Sequence, residues 1–87
     1  MHAVVVNVTV SDVEPALEAL RNDVVPQVSS APGFVAGYWT RLGNSGVGMT
    51  IWESEDAANM ARDRVADGAP EGVTFDKVEV REVVASA

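Results

Sequence analysis

Few side chains in this sequence carry a group able to do chemistry at a position where an apolar pattern would enclose it. Asn7 is the first, because it interrupts the run Val4-Val5-Val6-Asn7-Val8. A carboxamide among apolar neighbours offers donors that can hold a developing oxyanion. Trp39 and Trp52 come next: an indole face stacks on a planar aromatic, and its N–H donates to an oxygen. Arg41 can pair with a carboxylate or phenolate. Thr50 alternates onto the same side of an extended chain as Trp52. His2 is the only imidazole and can serve as a base near neutrality, but its terminal position argues against an ordered role. With Asn7 as the catalytic donor and Trp39, Trp52, Arg41 and Thr50 as substrate-binding groups, the set points to aromatic binding and charge stabilisation without a general base. Each residue also has a plain structural reading: Asn7 as a hydrogen-bonded strand residue, the Trp pair as packing or subunit contact, and Arg41 as a solvated edge cation.

Other chemistries find no support. The chain has no Cys, which removes disulfides, thiol catalysis and Cys-based metal sites. Asp56, Asp63 and Asp67 alternate with Arg62 and Arg64 as on a wetted helix surface, without the His or spacing of a metal site. The glycines at 43, 46 and 48 belong to a hairpin, and no Gly-Lys-Ser/Thr follows them as a phosphate loop requires. Lys77, Glu79 and Arg81 read as strand charges, solvated or paired between subunits. A net charge of −7 disfavours nucleic acid, which needs cations to displace counterions, and disfavours an anionic membrane surface. No basic leader or span of transmembrane length is visible. The expected setting is cytoplasmic, with no nucleic-acid or membrane partner.

The elements that must position these residues follow from periodicity. Residues 2 to 10 alternate, with Val4, Val6, Val8 and Val10 on one face and Ala3, Val5, Asn7 and Thr9 on the other. This predicts a strand covered on both sides. Ser11 or Asp12 can cap a helix whose stripe is Val13, Leu17, Leu20, Val24 and Val28. Pro26 predicts a kink or break near residues 22 to 26. Residues 34 to 42 and 47 to 53 read as a hairpin around a four-residue loop, 43 to 46. That loop sets Leu42 opposite Val47, Thr40 opposite Met49 and Tyr38 opposite Ile51. The other face pairs Arg41 with Gly48, Trp39 with Thr50 and Gly37 with Trp52. Ser54 caps a second helix with a small-residue face of Ala57, Ala58, Met60, Ala61 and Val65, stopped by residues 67 to 72, Pro70 among them. Residues 73 to 84 make the last strand.

The order β-α-β-β-α-β predicts one α+β domain over residues 1–87. Its expected fold is ferredoxin-like, a four-stranded antiparallel sheet with two helices on one face. Tyr38, Met49 and Ile51 are expected under the helices. Trp39, Arg41, Thr50 and Trp52 are expected with Asn7 on the opposite face, where a second copy of the sheet would cover them. So thin a core, about 60–65% burial at this length, favours a homodimer.

In this order, and with Ala31-Pro32-Gly33-Phe34 after a Pro-broken helix and Trp52-Glu53-Ser54-Glu55-Asp56-Ala57 joining strand 3 to helix 2, the chain resembles the dimeric α+β-barrel superfamily. Within it, the likeness is to the antibiotic-biosynthesis-monooxygenase-like domains. The resemblance covers nearly the whole chain. It implies a homodimer whose sheets enclose a cavity, and activities that include cofactor-independent oxygenation of aromatic phenols, quinol oxidation and haem degradation. Haem-degrading relatives use an Asn matching Asn7, but also a Trp in the second helical region and a later His. Here that helix has Met60 and Ala61, and no His follows, so haem degradation is rejected. Two readings remain. One is a cofactor-independent monooxygenase acting on a small phenolic or quinol-like aromatic. The other is a non-catalytic dimer that binds a small ligand or serves structurally.

Overall fold

The computed structural model describes residues 1–69 and 72–87; Pro70, expected to help stop the second helix, lies outside them. Four strands form one antiparallel sheet in the order β2-β3-β1-β4. They are β1 (His2–Val10), β2 (Phe34–Leu42), β3 (Ser45–Trp52) and β4 (Val73–Glu82). A helical arm, α1 (Val13–Ala19) and α2 (Val25–Ser29), joins β1 to β2, and α3 (Glu55–Ala66) joins β3 to β4. This is the expected ferredoxin-like α+β arrangement.

Between α1 and α2 the chain makes a π-helical turn, Leu20–Val24, in which the Val25 N–H reaches back five residues to the Leu20 carbonyl. Pro26 explains it. Proline has no N–H for the helical ladder, and its ring collides with the carbonyl four residues back. Widening the preceding turn relieves the collision without ending the helix. The expected break is thus a widened turn slightly upstream. Asp12 occupies the N-cap position of α1 but makes no side-chain cap bond; Ser11 instead donates to the Gly72 carbonyl at 3.1 Å. Ser54 caps α3 as expected, its Oγ accepting from the Ala57 N–H at 3.1 Å.

The hairpin is tighter than the spacing predicts. Leu42 pairs with Ser45, so only Gly43 and Asn44 turn, and the register slides by two residues: Trp39 faces Gly48, Tyr38 faces Met49 and Gly37 faces Thr50. Gly43 has φ 62°, the left-handed value that the first central position of a type II′ turn needs and that glycine adopts without strain. Asn44 ties this tip to β1: the Val10 N–H donates to the Asn44 carbonyl, and Asn44 Nδ2 donates to the Val10 carbonyl, both at 2.8 Å.

A two-residue slide leaves side chains on the same face. The face itself is decided by how β3 meets β1, and there the expectation is corrected. Val4 lies opposite Thr50, Val6 opposite Gly48 and Asn7 opposite Val47. Trp39, Thr50 and Trp52 therefore share the helix-covered face with Val4 and Val6. Tyr38, Met49 and Ile51, expected under the helices, share the open face with Val5 and Asn7. The core is built around Val4, Trp52 and Ala58, which are 1%, 2% and 0% exposed. Phe34 meets Trp52 edge to face, ring centres 5.6 Å apart. Burying an aromatic of this size removes roughly 150–250 Å² from water, about 4–6 kcal/mol of transfer free energy.

Candidate functional site

Sheet and helices do not close completely on each other. Between them lies a cavity of about 840 Å³, with Val4, Val6, Trp39, Gly48, Thr50 and Trp52 on its floor. Ala19, Val24 and Val28 of the helical arm form one wall; Ala57, Ala61 and Val65 of α3 form the other. The helical stripes that build the core thus also line the cavity. It lies inside one protomer, under its own helices, whereas the sequence places the cavity between two sheets.

Trp39 defines the floor. A Cβ on Gly48 would stand 2.9 Å from its Cδ1, and one on Gly37 would stand 2.7 Å from its Cη2. The indole therefore lies along the sheet over two glycines whose missing side chains make the room. Gly48 is its cross-strand partner, so register and composition act together. Trp52 also lines the cavity, but its indole N–H is engaged, donating to Thr50 Oγ1 at 2.8 Å. The Trp39 N–H has no protein partner among the described residues, and it is the indole donor left for a ligand.

The other sequence-picked residues fall elsewhere. Asn7 sits on the open face between Val47 and Lys77, away from the cavity, and its amide makes no hydrogen bond among the described residues. Arg41 sits at the hairpin tip and donates to the Gly43 carbonyl at 3.0 Å; it does not line the cavity. His2 is the first residue of β1 and stands 3.3 Å from Glu55, next to the first turn of α3. On the open face, Arg81 donates to the Glu79 carboxylate at 3.1 Å, and Lys77 stands 3.3 Å from it. The Arg81 hydrogen bond, aided by Lys77, holds the Glu79 carboxyl below its ordinary value. This is a surface charge network and takes no part in the cavity.

The cavity adds residues to which the sequence reading gives no site role, Asp56 and Arg64 reading as a wetted helix surface and Met60 as packing. Asp23 and Gln27 from the arm, and Asp56, Met60 and Arg64 from α3, line it with exposed side chains. The pattern was visible: Asp23, Gln27, Met60 and Arg64 each precede a cavity-lining residue by one position round a helix, and so border its apolar stripe. No cluster of three or more potential metal ligands occurs among the described residues, and none of their helices is long and apolar enough to cross a membrane.

No family model matches the sequence, and no curated protein matches it. Solved structures do. MupZ from Pseudomonas fluorescens aligns at TM-score 0.72 and 13% identity over 91% of this chain, which spans 65% of MupZ. SnoaB, a cofactor-independent oxygenase from Streptomyces nogalater, aligns at TM-score 0.69 and 19% identity, over 98% of this chain and 94% of its own. A variant of MhuD with two manganese protoporphyrin IX molecules bound per active site aligns at 0.63 and 22%, over 98% and 97%. The chain shares the ferredoxin-like α+β fold of these structures, as its element order implied.

Proposed function

We propose that this chain, as a single domain, is a cofactor-independent oxygenase that takes a small phenolic or quinol-like aromatic into the cavity beneath its helices. The observation that carries the reading is Trp39, an indole laid on a glycine floor in a largely apolar space, its N–H without a partner among the described residues. A ring system stacks on that face, and its oxygen accepts from Nε1. The volume falls within the range of about 300–1,000 Å³ typical of small-molecule sites, which weighs against a filled, purely structural interior. The apolar floor and walls would shield from water the buried side of a substrate whose own deprotonated form reacts with O₂. Asp23 and Asp56 at the mouth are the carboxylates available to take the proton, the role the sequence left empty. That SnoaB, of the same fold, is a cofactor-independent oxygenase supports this reading. Of the residues singled out in the sequence, Trp39, Thr50 and Trp52 line this cavity, with Trp39 the one proposed to contact a ligand; Asn7 and Arg41 do not line it.

The open sheet face is the proposed homodimer surface. Tyr38 is 65% exposed, and Val47 and Met49 are each 41% exposed; a second copy of the sheet would remove this apolar area from water.

Oxygen consumption and product mass with a panel of anthrones and hydroquinones test the activity. Uptake should fall about tenfold in Trp39→Leu, the scale of one lost stacking contact. Absence of turnover across the panel would sink the enzyme reading. One observation favours the runner-up, a non-catalytic binding protein: the titratable groups lining the cavity, Asp23, Asp56 and Arg64, are all exposed rather than set in its interior. A metabolite retained in native mass spectrometry without turnover would decide for it.

A further inference from the structure

We infer that the cavity selects a planar aromatic bearing an ionised carboxylate, and that Arg64 holds that carboxylate at the mouth. The inference rests on the reading of the cavity as an aromatic site. Arg64 is the only cation among the described residues that lines the cavity. The chain carries 13 acidic residues, yet Arg64 makes no ion pair or side-chain hydrogen bond among the described residues. Arg62 pairs with Asp63 at 3.3 Å, Arg81 with Glu79 at 3.1 Å and Arg41 bonds its own turn; Arg21, like Arg64, has no such partner among the described residues, but it does not line the cavity. Asp23 stands on the facing wall and also lines the cavity without pairing with Arg64.

The remaining charges set a direction. Asp56 lies in the first turn of α3 and Arg64 in its last, eight positions apart, or about 12 Å along the axis. A bound anion is repelled from one end of the cleft and drawn to the other. A carboxylate is costly to bury in the Val- and Ala-lined interior, so it stays at the mouth while the rings go in over Trp39. The guanidinium fork matches a carboxylate with two parallel hydrogen bonds. Because the net charge of −7 repels anions generally, any preference for an acid over its neutral analogue has to come from a local cation.

Quenching of tryptophan fluorescence by anthraquinone-2-carboxylate, compared with its uncharged primary amide, tests this. Wild type should bind the acid roughly tenfold more tightly than the amide, the scale of one charge-assisted contact. Arg64→Gln should erase the preference. Arg62→Gln, which alters net charge equally at a residue outside the cavity lining, should keep it. Equal binding of acid and amide by wild type, or a preference that survives Arg64→Gln, overturns the inference and leaves the aromatic site standing. If neither probe binds, the aromatic site itself fails and the inference with it.

Discussion

The indole N–H of Trp52 donates to the hydroxyl of Thr50, two residues back on the same strand and the same face, at 2.8 Å. Trp52 is 2% exposed, so this donor has no water to turn to if its partner is lost. Thr50→Val keeps the shape and removes the acceptor. It should lower unfolding free energy by about 1–3 kcal/mol, the cost of an orphaned buried polar group, with the denaturant m-value unchanged. A loss below a few tenths of a kcal/mol would mean that the indole finds another acceptor, and that Thr50 is free for a ligand.

Gly48→Ala should damage the floor of the cavity. In an ordinary strand, alanine is better than glycine by roughly 0.5–1 kcal/mol. Here its methyl would lie 2.9 Å from Trp39 Cδ1, and a well-ordered ring in contact with the sheet must move. The expected net effect is destabilising by about 1–3 kcal/mol, with weaker binding of aromatic probes. Pairing it with Trp39→Leu should recover most of the stability but not the binding. A thermal scan and a probe titration on the three variants distinguish these outcomes.

Tyr38 and Met49 face each other across β2 and β3 on the side away from the helices. Their exposure predicts a dimer by light scattering at micromolar concentration. Met49→Asp places an unpaired charge in that surface and should shift the molecular mass to that of a monomer while the cavity still binds. A monomeric wild type would remove the proposed sheet-to-sheet assembly.

Glu79 gives a pH dependence with a definite sign. Its carboxyl is held below the ordinary value of 4.5, first by the Arg81 hydrogen bond. A lowered folded-state value means that the contribution is fully present above pH 4.5 and is lost as pH falls through the folded value. Wild type should therefore exceed Glu79→Gln in melting temperature at pH 7 by a small margin, as exposed pairs give, and the margin should shrink below pH 4.5. A margin that grows on acidification would contradict the assignment.

The strand and helix pattern was legible because it is local. Alternation of Val4, Val6, Val8 and Val10 marks a strand wherever it packs, Ser54 caps because its hydroxyl reaches an N–H three residues on, and Pro26 disturbs the helix through its own ring. The candidate site was only half legible. Trp39, Thr50 and Trp52 stand out by type and do line the cavity. Asn7 also stands out by type, yet it lies on the far side of the sheet. Arg64 was read as one more charge on a wetted helix, because nothing along the sequence says that the neighbouring wall stands open there.

The sequence by itself determined the element order, the α+β fold and which residues of each strand travel together. It could not determine which set meets the helices, because side chains alternate with period two and a one-residue change in pairing exchanges the faces. The pairing of Val4 with Thr50 and of Val6 with Gly48 settles that choice. It puts Trp39 and Trp52 beneath the helices and leaves Tyr38, Met49 and Asn7 outside. The room above Trp39 depends on Gly48, which comes to lie opposite it only when the hairpin turns through Gly43 and Asn44. Tertiary structure decided both because each depends on residues distant along the chain.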